Sequence, residues 1–110
     1  MSNSISFVGR LAADAEMREA GKSNVLSFRV ANSVGYGERK TTNWFQCQMW
    51  GKAGEAVQQF LTKGKQVYIA GELINREYQK DGATRISTDI EVKALDLVSD
   101  GSGGAEKPAF

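Results

Sequence analysis

The sequence predicts a mainly β domain of five strands interrupted by one helix. Three observations predict it: apolar residues alternate with period two in two central segments, the spacing becomes helical over residues 53–61, and Gly- and Asp-containing turns separate the remaining apolar runs. The 110 residues suffice for one compact domain with one core, and 41% hydrophobic with 25% charged content is ordinary for a soluble globular protein.

The first strand is Ile5 to Leu11, short, apolar and rich in β-branched or aromatic residues; Gly9 within it suggests a bulge or a close backbone approach. Residues 19–24, Glu-Ala-Gly-Lys-Ser-Asn, form a turn cluster. In the second strand, residues 26–32, Leu26, Phe28 and Val30 share one face and Ser27, Arg29 and Ala31 the other. A polar loop over 35–40 leads to the third strand, Thr41 to Trp50. Ala53, Ala56, Val57, Phe60 and Leu61 fall at helical spacing, with Gly64 as a C-terminal stop. The fourth strand covers 66–78, with Gly71 at a bend, and Lys80-Asp-Gly82 signals a hairpin. The fifth covers 85–98, with Ile86, Thr88, Ile90, Val92 and Ala94 on one face. A helix between the third and fourth of five strands is the pattern of an OB-fold, a five-stranded Greek-key barrel. Residues 1–98 form the expected domain, and 99–110, opening Ser-Asp-Gly-Ser-Gly-Gly, a short flexible tail.

Several function classes recede on composition. One cysteine, Cys47, excludes an internal disulfide, and with no histidine the usual zinc sites and His-based nucleophile pairs cannot be built. No metal, cofactor or catalytic activity is expected. Residues 51–54, Gly-Lys-Ala-Gly, lack phosphate-loop spacing, and Asp81-Gly82 has too few acidic neighbours for a calcium loop. No apolar run is long enough to cross a membrane, and the N-terminus resembles neither a signal nor a transit peptide, so a cytoplasmic location is expected. Net charge is +1; the last twelve residues carry −1, leaving 13 basic and 11 acidic residues elsewhere. A polyanion partner would require the cations to be concentrated on one face.

The most informative segment is Asn43-Trp-Phe-Gln-Cys-Gln-Met-Trp50. Alternation puts Phe45, Cys47 and Met49 on an apolar face and Trp44, Gln46, Gln48 and Trp50 on the other. Two indoles on a polar face suit stacking on unpaired bases, at ~1–3 kcal/mol per base. A second small core or a subunit interface would use tryptophan equally well, and the segment alone leaves both open. Arg76 and Tyr78 share a face, with Lys80 just beyond and Arg85 returning on the partner strand, which offers stacking with phosphate contacts or simply a solvated ladder. Tyr36, Arg39 and Lys40 repeat the theme on a loop. Lys52 follows Trp50 at the helix start, where it suits either phosphate or water, and Lys63 reads similarly.

Phe7-Val-Gly-Arg-Leu11, Asp14-Ala-Glu16, Phe28-Arg-Val-Ala-Asn32, Thr42-Asn-Trp44 with Trp50-Gly-Lys52, Lys63-Gly-Lys-Gln-Val-Tyr-Ile-Ala-Gly71 and Arg76-Glu-Tyr78 before Asp81-Gly82 together resemble the bacterial single-stranded DNA-binding protein family, over most of residues 4–98. The resemblance implies an OB-fold that binds single-stranded DNA without sequence preference in replication, recombination and repair. It implies stacking by Tyr36, Trp44, Trp50 and Tyr78. Phosphate contacts would fall to Lys52, Lys63 and Arg76, and also to Arg10, Arg29, Arg39, Lys40 and Arg85. It further implies self-association, as a homotetramer or a dimer, through the first strand and the sheet faces, and a nucleoid-associated place in the cytoplasm. The family typically ends in a long linker and an acidic tip finishing Pro-Phe that recruits replication and repair proteins. Here the linker is short, Pro108-Ala-Phe110 separates the two residues, and Lys107 replaces acidic charge. That leaves recruitment through Pro108 and Phe110 open and suits a paralogue or a plasmid- or phage-borne member. The weak net charge and altered tail keep an alternative in view: an OB-fold primosome component or adaptor acting through protein contacts.

Overall fold

The computed structural model describes residues 1–98; the expected tail, with Pro108 and Phe110, lies outside the described residues. Strand β1 (Ile5–Leu11) is followed by β2 (Glu16–Ala20), β3 (Ser23–Val34), a 3-10 turn (Gly37–Arg39) and β4 (Thr41–Trp50). Helix α1 (Gly51–Val57) continues into a second 3-10 turn (Gln58–Phe60), and β5 (Gln66–Lys80) and β6 (Ala83–Leu97) complete the chain. The strands hydrogen-bond in the order β1-β5-β6-β4-β3-β2. Arg10 and Leu11 of β1 also pair with Ala31 and Val30 of β3, so β1, β5, β6, β4 and β3 form a closed ring. All pairings are antiparallel except β4–β6. One edge of β3 is shared: β2 takes Ser23–Ser27, and β1 takes Val30 and Ala31.

Alternation in β4 holds as the sequence predicts: Phe45, Cys47 and Met49 are buried, whereas Trp44 and Trp50 are exposed. Leu26, Phe28 and Val30 from β3, Val67 and Ile69 from β5, Ile90 from β6 and Leu11 from β1 complete the core, and Phe7 packs on Phe45 with ring centroids 4.6 Å apart. The Asp81-Gly82 hairpin forms with both residues at positive φ, 53° and 78°, as a primed two-residue turn requires. A Cβ on Gly9 would collide with Val30 and the Ala31 carbonyl, so this glycine lets β1 close onto β3.

Three expectations are corrected. First, β2 is an additional strand, making six; Glu-Met-Arg-Glu-Ala offers little apolar alternation, and only its pairing with β3 makes it a strand. The turn cluster after it is a hairpin, with Gly21 at φ 66° and Ala20 opposite Ser23. Second, the buried helical positions are Gly54 and, past the helix, Leu61, with Val57 partly buried; Ala53, Ala56 and Phe60 are exposed. Gly54 presses against Leu26 and the Met49 carbonyl, where a side chain would not fit, and the switch to a 3-10 turn rotates Phe60 outward. Gly64 accordingly terminates a turn after the helix, where its N–H donates to the Leu11 carbonyl. Third, Ala94 is exposed, because β6 bulges: Ala70 opposes Ala94 but Gly71 opposes Val92, leaving Lys93 as the extra residue. Leu95 packs against the core in its place. The bend expected at Gly71 is this bulge, where a Cβ would fall on the Glu91 carbonyl.

Cys47 sits fully buried in this core, and burial, reinforced by the Asp89 charge, pushes its thiol up from 9.0 to about 12. The unfolded chain releases this proton near 9 and the folded chain only near 12. The thiol's contribution to stability is therefore intact below about pH 9 and is lost as pH rises toward 12. A thiol reagent at pH 8 should leave Cys47 unmodified in the native protein and modify it in denaturant; rapid native labelling would show that the ring opens at β4.

Candidate nucleic-acid interface

The outward face of β4 carries Trp44, Gln46, Gln48 and Trp50, and the neighbouring strands extend it. On β3, Ala31 opposes Trp44, Arg29 opposes Gln46, Ser27 opposes Gln48 and Val25 opposes Trp50. Across the parallel junction, Asp89 and Glu91 of β6 oppose Gln46 and Gln48. Beyond β6, Glu72, Ile74, Arg76 and Tyr78 of β5 oppose Glu91, Asp89, Ser87 and Arg85. The result is one continuous polar sheet surface with three aromatic side chains on it.

Two adjoining hollows run over this surface. One, of about 370 Å³, is lined by Arg29, Trp44, Gln46, Tyr78, Ile86, Ser87 and Thr88. The other, of about 360 Å³, is lined by Arg18, Ser27, Gln46, Gln48, Arg76, Tyr78, Ser87 and Asp89. They share Gln46, Tyr78 and Ser87, so together they make a groove between β4 and the β5–β6 arm. Trp44, Trp50 and Tyr78 are 49%, 46% and 43% exposed, which leaves about half of each ring free to contact a ligand.

The rings and cations are held in place. The Arg29 guanidinium lies over the Trp44 ring at 4.9 Å, a cation–π contact that orients both. The Trp50 indole N–H donates to Glu91 Oε1 at 3.1 Å, and the Gln46 amide donates to Ser27 Oγ at 3.0 Å. Arg76 binds Asp89 at 2.7 Å, and the Ser87 hydroxyl donates to the other Asp89 oxygen, also at 2.7 Å. Asp89 is only 2% exposed, and a buried carboxylate deprived of its cation is strongly destabilising.

The sequence-predicted residues separate into groups. Trp44, Trp50, Tyr78, Arg29, Arg76 and Arg85 share the sheet surface. Lys52 is exposed one residue beyond Gly51, next to Trp50. Tyr36, 93% exposed, stands with Arg39 and Lys40 on the β3–β4 loop, outside the groove lining. Arg10 and Lys63 are not brought to the groove: Arg10 donates to the Gly64 carbonyl at 2.9 Å, and the Lys63 N–H donates to Asp14. Both therefore belong to the β1 end of the ring. The sequence analysis missed Arg18, which enters the groove from the unforeseen β2, and Asp89 and Glu91, whose outward direction rests on the cross-strand register. Among the described residues, no group of three His, Cys, Asp or Glu side chains is placed to hold a metal ion, and no helix is long and apolar enough to cross a membrane.

Residues 2–98 match the model of the single-strand binding protein family. The chain belongs to that family. It is 33% identical to the single-stranded DNA-binding protein of Clostridium perfringens over 105 residues, 94% of this chain and 70% of that one. It is 33% identical to the Treponema pallidum protein of the same name, covering 96% of this chain and 62% of that one. It is 36% identical to the Neisseria meningitidis serogroup A protein, covering 94% and 65%. The chain thus spans less than two thirds of the latter two. A small single-stranded DNA-binding protein from Streptomyces coelicolor superposes with a TM-score of 0.78 at 26% identity, covering 87% of this chain and 94% of that one. The fold is the OB-fold expected from the sequence.

Both indoles of this family member being half-exposed, acrylamide should quench the fluorescence of Trp44 and Trp50 in the free protein, with Trp44→Phe and Trp50→Phe each removing part of the quenchable signal. Emission resistant to acrylamide would instead place an indole inside a core or an interface.

Proposed function

We propose that the chain binds single-stranded DNA without sequence preference, by laying bases on Trp44, Trp50 and Tyr78 while cations along the groove meet the backbone. The observation that carries this reading is three half-exposed aromatic rings on one polar sheet surface. A soluble sheet gains nothing from exposing indoles to water, whereas every base has a π-face to stack on them. Arg29 and Arg85 on the surface, Lys52 two residues after Trp50, and Tyr36, Arg39 and Lys40 on the β3–β4 loop extend the path for the strand. Arg10 and Lys63 lie along the outside of the domain, where a longer strand would pass. The role is that of a binding protein rather than an enzyme, protecting single strands in replication, recombination and repair in the cytoplasm at the nucleoid.

The test is a titration with oligo-dT and with a duplex of matched length, followed by tryptophan fluorescence at two salt concentrations. Quenching by the single strand, little by the duplex, and weakening by salt are expected. Trp44→Ala and Trp50→Ala should each weaken binding about 5- to 150-fold, from ~1–3 kcal/mol of stacking per base, with the folded state retained. A folded double variant that still bound tightly would remove the stacking platform.

Self-association as a homotetramer belongs to the same proposal. Its support is the outer side of β1, where Val8 is 41% exposed and opposes Tyr68 on β5. Val8→Lys should lower the mass measured by sedimentation without unfolding the subunit; an unchanged mass would move the interface elsewhere.

A further inference from the structure

We propose that Asp89 is a positioning residue that latches Arg76 to the floor of the groove, so that Arg76 serves as a fixed guanidinium surface beside Tyr78 and not as a phosphate counter-charge. The inference rests on the proposed DNA binding and assigns opposite electrostatic roles to cations that the sequence cannot tell apart.

The carboxylate lies at the parallel seam between β4 and β6, opposite Gln46, and is buried while the arginine it holds remains 59% exposed. Both of its oxygens are engaged, one by Arg76 and one by Ser87. Arg76 becomes a full counter-charge to a phosphate only by abandoning a desolvated anion beneath a polyanion; while the pair holds, its net charge is zero even where a free N–H reaches the strand. The departing pair would lose its attraction and the remaining carboxylate would repel the strand, so both changes oppose the move. The pair therefore persists when DNA enters. What the guanidinium still offers is its open plane, two residues from Tyr78 on the same strand face, a flat surface suited to a base.

The other cations of the groove differ. Arg18 meets Glu16 at 3.5 Å with both side chains about two-thirds exposed, a pair that water and salt loosen. Arg29 makes no ion pair among the described residues and lies over Trp44. Counterion release should then follow these free or loosely held cations, while Arg76 contributes affinity with little salt dependence.

Affinity for oligo-dT measured over a range of salt tests this, because each phosphate contact on a single strand adds about 0.7 to the slope of log affinity against log salt. Arg76→Gln combined with Asp89→Asn, which removes the pair as a neutral unit and leaves no orphaned charge, should weaken binding a fewfold at every salt concentration and leave the slope at the wild-type value. Asp89→Asn should release Arg76 to a phosphate and steepen the slope by about 0.7, and adding Arg76→Gln to it should return the slope to the wild-type value. A slope flattened by about 0.7 in the double variant, or one unmoved in folded Asp89→Asn, would overturn the latch. Should Asp89→Asn fail to fold, the double variant, which leaves no orphaned charge, decides alone: a wild-type slope supports the latch and a slope flattened by about 0.7 overturns it. Absence of binding by the wild-type protein would instead overturn the proposed function, a result separate from any variant's slope.

Discussion

The alternation of β4 between its two neighbours is the constraint on which the interface depends. Its ten residues pair without interruption along β3, from Val25 opposite Trp50 to Val34 opposite Thr41. Because the side-chain period is two, the burial of Phe45, Cys47 and Met49 compels Trp44, Gln46, Gln48 and Trp50 to face outward. A slip by one residue would expose the core and bury two amides and two indoles. Fully burying Phe45 and Met49 alone is worth about 1.5–3 kcal/mol each, so the core that stabilises the domain also fixes the spacing of its exposed rings. Site and core are two sides of one strand.

On β6 the same logic needs an interruption. Asp89 and Glu91 share the outward face of the sheet and Ile90 faces the core, but by Leu95 the inward parity has changed from even to odd. The bulge at Lys93 makes that change, and Gly71 permits it by letting the Glu91 carbonyl approach where a Cβ would stand. Without the extra residue, β6 could satisfy either the seam with β4 or the apolar packing of its second half, but not both. The bulge thus keeps Leu95 inside while the carboxylates that restrain Arg76 and Trp50 stay outside.

How much of this was legible in the sequence follows from the range of each interaction. β1 and β4 have their expected bounds because apolar alternation and turn residues are local signals. The Asp-Gly hairpin was legible because its conformation demands φ > 0 at both positions. β2 was not, since Glu16–Ala20 becomes a strand only through its neighbour, and Arg18 was missed with it. The helix face was misplaced because Gly54 carries no side chain by which hydrophobic spacing could mark it as buried. The shared face of Trp44 and Trp50 could be read from parity alone. That Tyr78 lies across the groove from Trp44 depends on β5–β6 folding back against β4, a relation between residues over thirty positions apart, whereas Arg76 meets Asp89, thirteen positions on, through the register of the β5–β6 hairpin.

The near-neutral charge of the chain looks unsuited to a polyanion until its acidic groups are placed. Asp89 and Glu91 face outward on β6: the Asp89 charge is offset by Arg76, whereas Glu91 keeps its charge while it accepts the Trp50 N–H. Such restraints reduce the rotamer freedom that the side chains would otherwise lose on binding, which preserves more of the stacking energy for the complex. Lys93 and Glu72 form a looser pair at 3.9 Å farther along the sheet. A surface arranged in this way relies on preorganised rings and a few cations without an ion pair among the described residues, Arg29 among them and seated against an indole. Low net charge is then compatible with single-strand binding, because long-range attraction is exchanged for side chains already oriented to receive a base.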